Sequence, residues 1–164
     1  MYRVAIITAS DKGYAGERED LSGPAVQKIA EENGFQAVSR VILPDEKDML
    51  SSEMARICDA DEADLILTTG GTGFSPRDCM PEATLAIGER VVPGIPEAMR
   101  IYSLRYSDRS MLSRAVAVIR RRTLIVNLPG SPKAVAENLT YAIGTLAHGL
   151  DMLRGEGSAD CARE

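Results

Sequence analysis

The residues best placed to do chemistry are two aspartates and a run of glycines. Residues 67–84, LTTGGTGFSPRDCMPEAT, read as a strand, a glycine-rich loop and a helix. Glycines let backbone N–H groups approach an anion closely, and a helix N-terminus adds the positive end of its dipole. Gly70, Gly71 and Gly73 are therefore candidates for a phosphate cradle, although a plain tight turn uses the same residues. The loop is not a Walker A motif, because GxxxxGK[ST] is absent, and GGTG lacks the GxGxxG spacing of a dinucleotide fingerprint. Asp78 lies in this loop, and Asp45 lies after the neighbouring strand in Leu43-Pro44-Asp45-Glu46. Two carboxylates on adjacent loops can hold a hard divalent cation such as Mg²⁺ through oxygen. Such an ion bridges nucleotide phosphates and neutralises developing charge. The alternative is that each aspartate caps the helix behind it.

Other candidates carry less. Cys79 sits beside Asp78, but the only histidine, His148, falls on the polar side of the last helix, so a Cys–His pair has little support. No GxSxG elbow exists for Ser–His–Asp chemistry. The run Arg120-Arg121-Arg122 could grip phosphate or simply form an exposed hairpin turn.

These residues need elements to hold them. Residues 4–8 (VAIIT), 38–43 and 65–69 (LILTT) are short, β-rich runs, the first and third suited to strands buried on both faces. Ser22-Gly23-Pro24 looks like a helix start with Ser22 or Gly23 as N-cap, and Gly34 stops that helix. Leu50, Met54, Ile57 and Cys58 recur at helical spacing, and Pro81-Glu82-Ala83 opens the next helix. Residues 96–105 suggest another helix, 115–119 and 124–128 a hairpin, and Val135, Leu139, Ile143, Leu146, Leu150 and Leu153 one stripe of a long final helix. Alternating strands and helices predict a three-layer α/β/α sandwich with a mostly parallel sheet. Ligands in such sheets bind beyond the carboxyl ends of the strands. The loops 10–22, 44–48, 70–80 and 129–132 should all sit there.

The 164 residues suggest a single domain over 1–154 followed by a tail at 155–164. A hydrophobic content of 45% with 26% charged residues is ordinary for a globular chain. A net charge of −5 argues against nucleic acid or an anionic membrane as partner, so any anionic ligand must be held by local devices. No run approaches the roughly 18 apolar residues of a membrane span. Three cysteines, Cys58, Cys79 and Cys161, form no CxxC pair, which fits a reduced, cytoplasmic setting without zinc or disulfides.

Taken together the motifs resemble the molybdopterin adenylyltransferase family of molybdenum cofactor biosynthesis. The resemblance rests on Thr68-Thr69-Gly70-Gly71-Thr72-Gly73, Arg77-Asp78 and Pro81-Glu82-Ala83-Thr84. It extends to Ala9-Ser10-Asp11, Asp20-Leu21-Ser22-Gly23-Pro24, Leu43-Pro44-Asp45-Glu46, Pro93-Gly94, Met111-Leu112-Ser113-Arg114 and Asn127-Leu128-Pro129-Gly130-Ser131-Pro132. It implies a mixed sheet and a homotrimer. It implies Mg²⁺-dependent transfer of AMP from ATP to the terminal phosphate of molybdopterin, with release of pyrophosphate and a molybdenum insertase as later partner. By residue, it implies that Asp45 and Asp78 are the catalytic, magnesium-associated pair. Thr72, Ser103 and Ser113 would contact molybdopterin; Gly70, Gly71, Gly73, Asn127, Pro129 and Gly130 would face the nucleotide and its phosphates. A molybdopterin-binding scaffold without turnover is the rival reading, and the presence of both aspartates argues against it.

Overall fold

The computed structural model describes residues 1–155; the expected tail and Cys161 lie almost wholly outside them. Strands β1 (Arg3–Ala9), β2 (Gln36–Leu43), β3 (Leu65–Thr69), β4 (Arg90–Val91), β5 (Ala117–Arg120) and β6 (Thr123–Leu128) form one sheet in the order β2-β1-β3-β6-β5-β4. Strands β2, β1, β3 and β6 pair in parallel, whereas β5 is antiparallel to both its neighbours. The mixed sheet and the 115–128 hairpin agree with the sequence. The two-residue β4 has no counterpart there, since it is too short to show a period. The hairpin turn is Arg121-Arg122, with Arg121 at φ 52°.

Helices α2 (Ser22–Glu32), α5 (Gly94–Ser103) and α6 (Pro132–Arg154) cover one face, and α3 (Lys47–Asp59) and α4 (Met80–Ile87) the other. The alternation of side chains along each strand feeds both layers. Val4, Ile6, Leu65, Leu67, Leu124 and Val126 pack towards α2 and α6, while Ala5, Ile7, Ile66 and Ile125 pack towards α3 and α4. All five residues of β3 are buried, which is why LILTT has no polar alternation. Each fully buried Ile or Leu contributes about 1.5–3 kcal/mol.

The chain runs from β1 through α2 to β2, then through α3 on the other face to β3, on the far side of β1. The winding direction therefore reverses between β1 and β3, and the loops after those strands open a crevice at the carboxyl edge. All four loops named from the sequence leave this edge. The Arg121-Arg122 turn precedes β6 and so lies at the opposite edge. There Arg120 and Arg121 pair with Asp59, and Glu89 accepts the Arg121 N–H. Arg120 and Arg121 thus hold the hairpin turn to α3 and the segment before β4.

Two local expectations are corrected. Neither Ser22 nor Gly23 caps α2; Asp20 does, its Oδ1 accepting the N–H groups of Ser22 (3.0 Å) and Gly23 (2.9 Å). A carboxylate two residues upstream reaches those donors because Thr8 on β1 donates to its other oxygen at 2.9 Å. The loop after β1 also contains a short helix, α1 (Asp11–Tyr14), capped by Ser10. A 3-10 turn at Asp108–Leu112 likewise follows α5, where the sequence pattern indicates no element.

Candidate functional site

At the β1/β3 crevice, three loops are tied together by charge. The Asp11 N–H donates to Asp45 Oδ2 at 3.1 Å, and the Asp45 N–H donates to Asp11 Oδ1 at 3.0 Å. Arg77, from the glycine-rich loop, grips both oxygens of Asp11 at 3.0 Å and Glu46 at 2.8 Å. This network uses one oxygen of Asp45. The other, Oδ1, is buried without a hydrogen-bond partner among the described residues. A buried carboxylate oxygen left bare is costly, so its position needs a reason.

That oxygen faces the glycine loop. A Cβ placed on Gly71 would lie 3.1 Å from Asp45 Oδ1, and one on Gly73 would lie 2.9 Å from Asp78 Oδ2. Gly70 and Gly71 have φ of 90° and 67°, a left-handed backbone that side chains resist, and a Cβ on Gly70 would meet the Ala9 carbonyl oxygen at 2.4 Å. The loop thus packs its backbone against β1, with the Asp45 carboxylate beside Gly71, the Asp78 carboxylate beside Gly73, and the charge of Asp78 acting on Asp45. Asp78 Oδ2 accepts the Ser75 N–H at 3.0 Å. Neither aspartate caps its helix: the N-cap positions of α3 and α4 are Glu46 and Cys79, without side-chain cap bonds. The capping alternative is therefore set aside.

Burial pushes the Asp45 carboxyl above the ordinary aspartate range, and the Asp11 and Asp78 carboxylates push the same way; the Asp11 N–H and Arg77 oppose them. Asp11 is held low, chiefly by its bonds to Arg77. Burial, then Asp45 and Glu82, raise the Cys79 thiol and so disfavour its thiolate. His148 is exposed near the far end of α6. Among the described residues no cluster of three or more His, Cys, Asp or Glu could enclose a metal. Two carboxylates with an open side are, however, the donor set that Mg²⁺ accepts, since it keeps waters and substrate phosphates as its other ligands. Asp45 and Asp78 fit it.

Beyond Gly73 the crevice continues into a cleft of about 380 Å³. Thr72, Gly73, Ser103, Ser113 and Pro129 all line it, together with Arg109 and Lys133. Ser103 donates to Asn138 Oδ1 at 3.0 Å, which aims its oxygen from α5 towards α6. The residues singled out from sequence thus divide into two neighbouring groups, the acidic pair and the cleft, joined at Thr72-Gly73. Gly130 supports the joint, its Cα approaching Gly70 closely enough that an added Cβ would lie 3.3 Å from the Gly70 Cα.

Asn127 is placed differently. It is fully buried in β6, its amide donating to Thr68 (3.0 Å) and Thr84 (2.9 Å) and accepting from the Val116 N–H (3.2 Å). It braces the strand ends below the site. Several site residues had no role assigned from sequence: Asp11, Asp20, Arg77 and Arg114. Each lies in a motif quoted above, yet its partner is 12 to 66 positions away in the chain, so only folding reveals the pairing.

A family described as "Probable molybdopterin binding domain" matches residues 5–148. The chain is 38% identical over 154 residues to the molybdopterin adenylyltransferase of Helicobacter pylori J99, covering 93% of this chain and 88% of that protein. It is 39% identical over 140 residues to that of Escherichia coli K12, covering 84% and 71%. The crystal structure of the molybdopterin biosynthesis enzyme MoaB from Thermus thermophilus superposes with a TM-score of 0.89 at 44% identity, covering 94% of this chain and 98% of that one. Matched through every loop that builds the crevice, the chain belongs to the molybdopterin adenylyltransferase family, within the probable molybdopterin binding domains.

Proposed function

We propose that this protein transfers AMP from ATP to the terminal phosphate of molybdopterin in a Mg²⁺-dependent reaction that releases pyrophosphate. The observation that carries the reading is the bare, buried Oδ1 of Asp45, which faces Gly71, within reach of the charge of Asp78. In this reading a phosphate oxygen of molybdopterin attacks the α-phosphorus of ATP in line, and the bond to the pyrophosphate oxygen breaks. Both reactants are anions, so bringing them together is the principal barrier. Bound by Asp45 and Asp78, Mg²⁺ supplies charge neutralisation there. The chain does the rest by positioning. Gly70 and Gly71 admit a phosphate close to the backbone; Thr72 and Ser113 hold molybdopterin by hydrogen bonds along the cleft wall; Arg109 and Lys133 raise the local positive potential. Asp11 and Arg77 hold the Asp45 carboxylate so that its free oxygen faces the reactants.

The test is incubation with molybdopterin, ATP and Mg²⁺. Pyrophosphate and adenylylated molybdopterin are the expected products. Pterin binding without pyrophosphate supports the scaffold alternative, and ATP breakdown without pterin indicates a hydrolase. Asp78→Asn is expected to lower turnover at least about a hundredfold with the fold intact, because one charge that holds the cation is lost; near-normal turnover removes Asp78 from the mechanism. A homotrimer, a cytoplasmic setting and hand-over to a molybdenum insertase belong to the same reading. Sedimentation checks the oligomeric state.

A further inference from the structure

We propose that Arg114 is a positioning residue for Asp78, binding the cleft wall and the acidic pair into one braced unit; this rests on the metal-binding part of the function proposed above. Arg114 follows Ser113, which lines the cleft. Its backbone N–H donates to the Thr72 carbonyl at 2.9 Å. Its guanidinium then reaches across the glycine-rich loop, Nε donating to the Gly73 carbonyl at 2.7 Å and Nη2 to the Asp78 carbonyl at 2.9 Å. Nη1 pairs with Glu82 on the first turn of α4.

Those two carbonyls bracket the segment 73–78. Inside it, only the Asp78 N–H to Ser75 carbonyl bond (2.9 Å) and the Ser75 N–H to Asp78 Oδ2 bond (3.0 Å) keep the turn closed. Such a loop has little intrinsic rigidity. A planar guanidinium with donors at fixed separation sets the distance between the carbonyls of Gly73 and Asp78, and thereby the direction of the Asp78 side chain. A lysine offers a point charge and cannot span them. Arg77 anchors the same loop to Asp11 and Glu46 on the other side. The loop is thus held between two arginines, one tied to the β1 and β2 loops and one extending from the segment next to the cleft-lining Ser113.

The test is Mn²⁺ uptake by the protein without nucleotide, read by the loss of free-ion EPR signal, for wild type, Arg114→Lys, Asp78→Asn and the double variant. Arg114→Lys is expected to weaken Mn²⁺ binding about tenfold, with molybdopterin affinity within about twofold, since the Thr72 carbonyl is held by the backbone. Because the arginine acts through Asp78, the double variant should bind no more weakly than Asp78→Asn alone. Glu82→Gln, which leaves both carbonyl bonds available, should stay within about twofold of wild type. If lysine prevents folding, judged by circular dichroism, Arg114→Gln gives the same comparison. Unchanged Mn²⁺ binding in the arginine variant, losses that add in the double variant, or an equal loss in Glu82→Gln each overturn the role of Arg114. A wild-type protein that takes up no Mn²⁺ overturns the reading of the acidic pair itself.

Discussion

Asp45 combines two demands that conflict. Its Oδ2 is satisfied by Asp11, while its Oδ1 is buried and bare. With its carboxyl titrating higher in the folded chain than in the unfolded one, the folded state binds more protons between those two values. Stability from this residue therefore falls as pH rises through that window. Asp11 acts oppositely: Arg77 holds it low, and its contribution is lost as pH falls through its folded value. A neutral amide costs less than a carboxylate when left unpartnered. Asp45→Asn is thus expected to raise Tm in the absence of divalent cations, by a margin that grows as pH rises above the ordinary aspartate range, while abolishing turnover. Thermal melts across that range check it, and a lower Tm at pH 7 contradicts it. Thr72→Val keeps shape and loses a hydroxyl on the cleft wall; molybdopterin Kd should rise roughly fivefold, about 1 kcal/mol, by titration.

At the scale of elements, the glycine-rich loop separates strain from crowding. Gly34, which ends α2, has φ 82° and open space around an added Cβ. Gly34→Ala should cost about 1–2 kcal/mol from backbone strain alone. Gly71→Ala adds contact with Asp45 Oδ1 at 3.1 Å, so it should cost more and also suppress metal binding. Gly70→Ala forces a Cβ to 2.4 Å from the Ala9 carbonyl oxygen, against β1 backbone that cannot yield. It should cost about 3 kcal/mol or more. Denaturant unfolding of the three variants checks the order. The order follows from register: β1 and β3 pair from Val4–Leu65 to Thr8–Thr69, so the chain leaving β3 must turn beside the end of β1.

At the scale of the molecule, the far end of α6 is fastened to the edge opposite the site. Asp64, 1% exposed at the foot of β3, accepts the Arg3 N–H at 2.7 Å and the Arg3 guanidinium at 2.7 Å, and pairs with Arg154 in the last turn of α6. Tyr2 donates to Asp151 on the same turn. Removing the carboxylate leaves two arginines without their shared anion. Asp64→Asn should lower stability by on the order of 3 kcal/mol, measured by urea unfolding, with turnover of the folded fraction unchanged because the acidic pair lies at the other edge. None of the described helices is long and apolar enough to cross a membrane.

Much of this architecture was legible in the amino-acid order because it depends on neighbours in the chain. Continuous apolar runs specified strands buried on both faces, helical spacing specified which side of α3 and α6 is covered, and the alternation of the two implied loops on one edge. The residue types at that edge, Asp45, Asp78 and the glycines between them, already marked it as the candidate site. What the order could not decide were relations between distant segments. That Asp20 rather than Ser22 caps α2, that Asn127 is buried against Thr68 and Thr84, and that Arg77 and Arg114 hold the loop from opposite sides depend on strand register and helix placement. The same holds for the bare oxygen of Asp45. Sequence supplies a carboxylate, but only the packed loops of β1, β2 and β3 satisfy one of its oxygens, bury the other and point it at Gly71, because desolvation is a property of the assembled crevice and not of the residue.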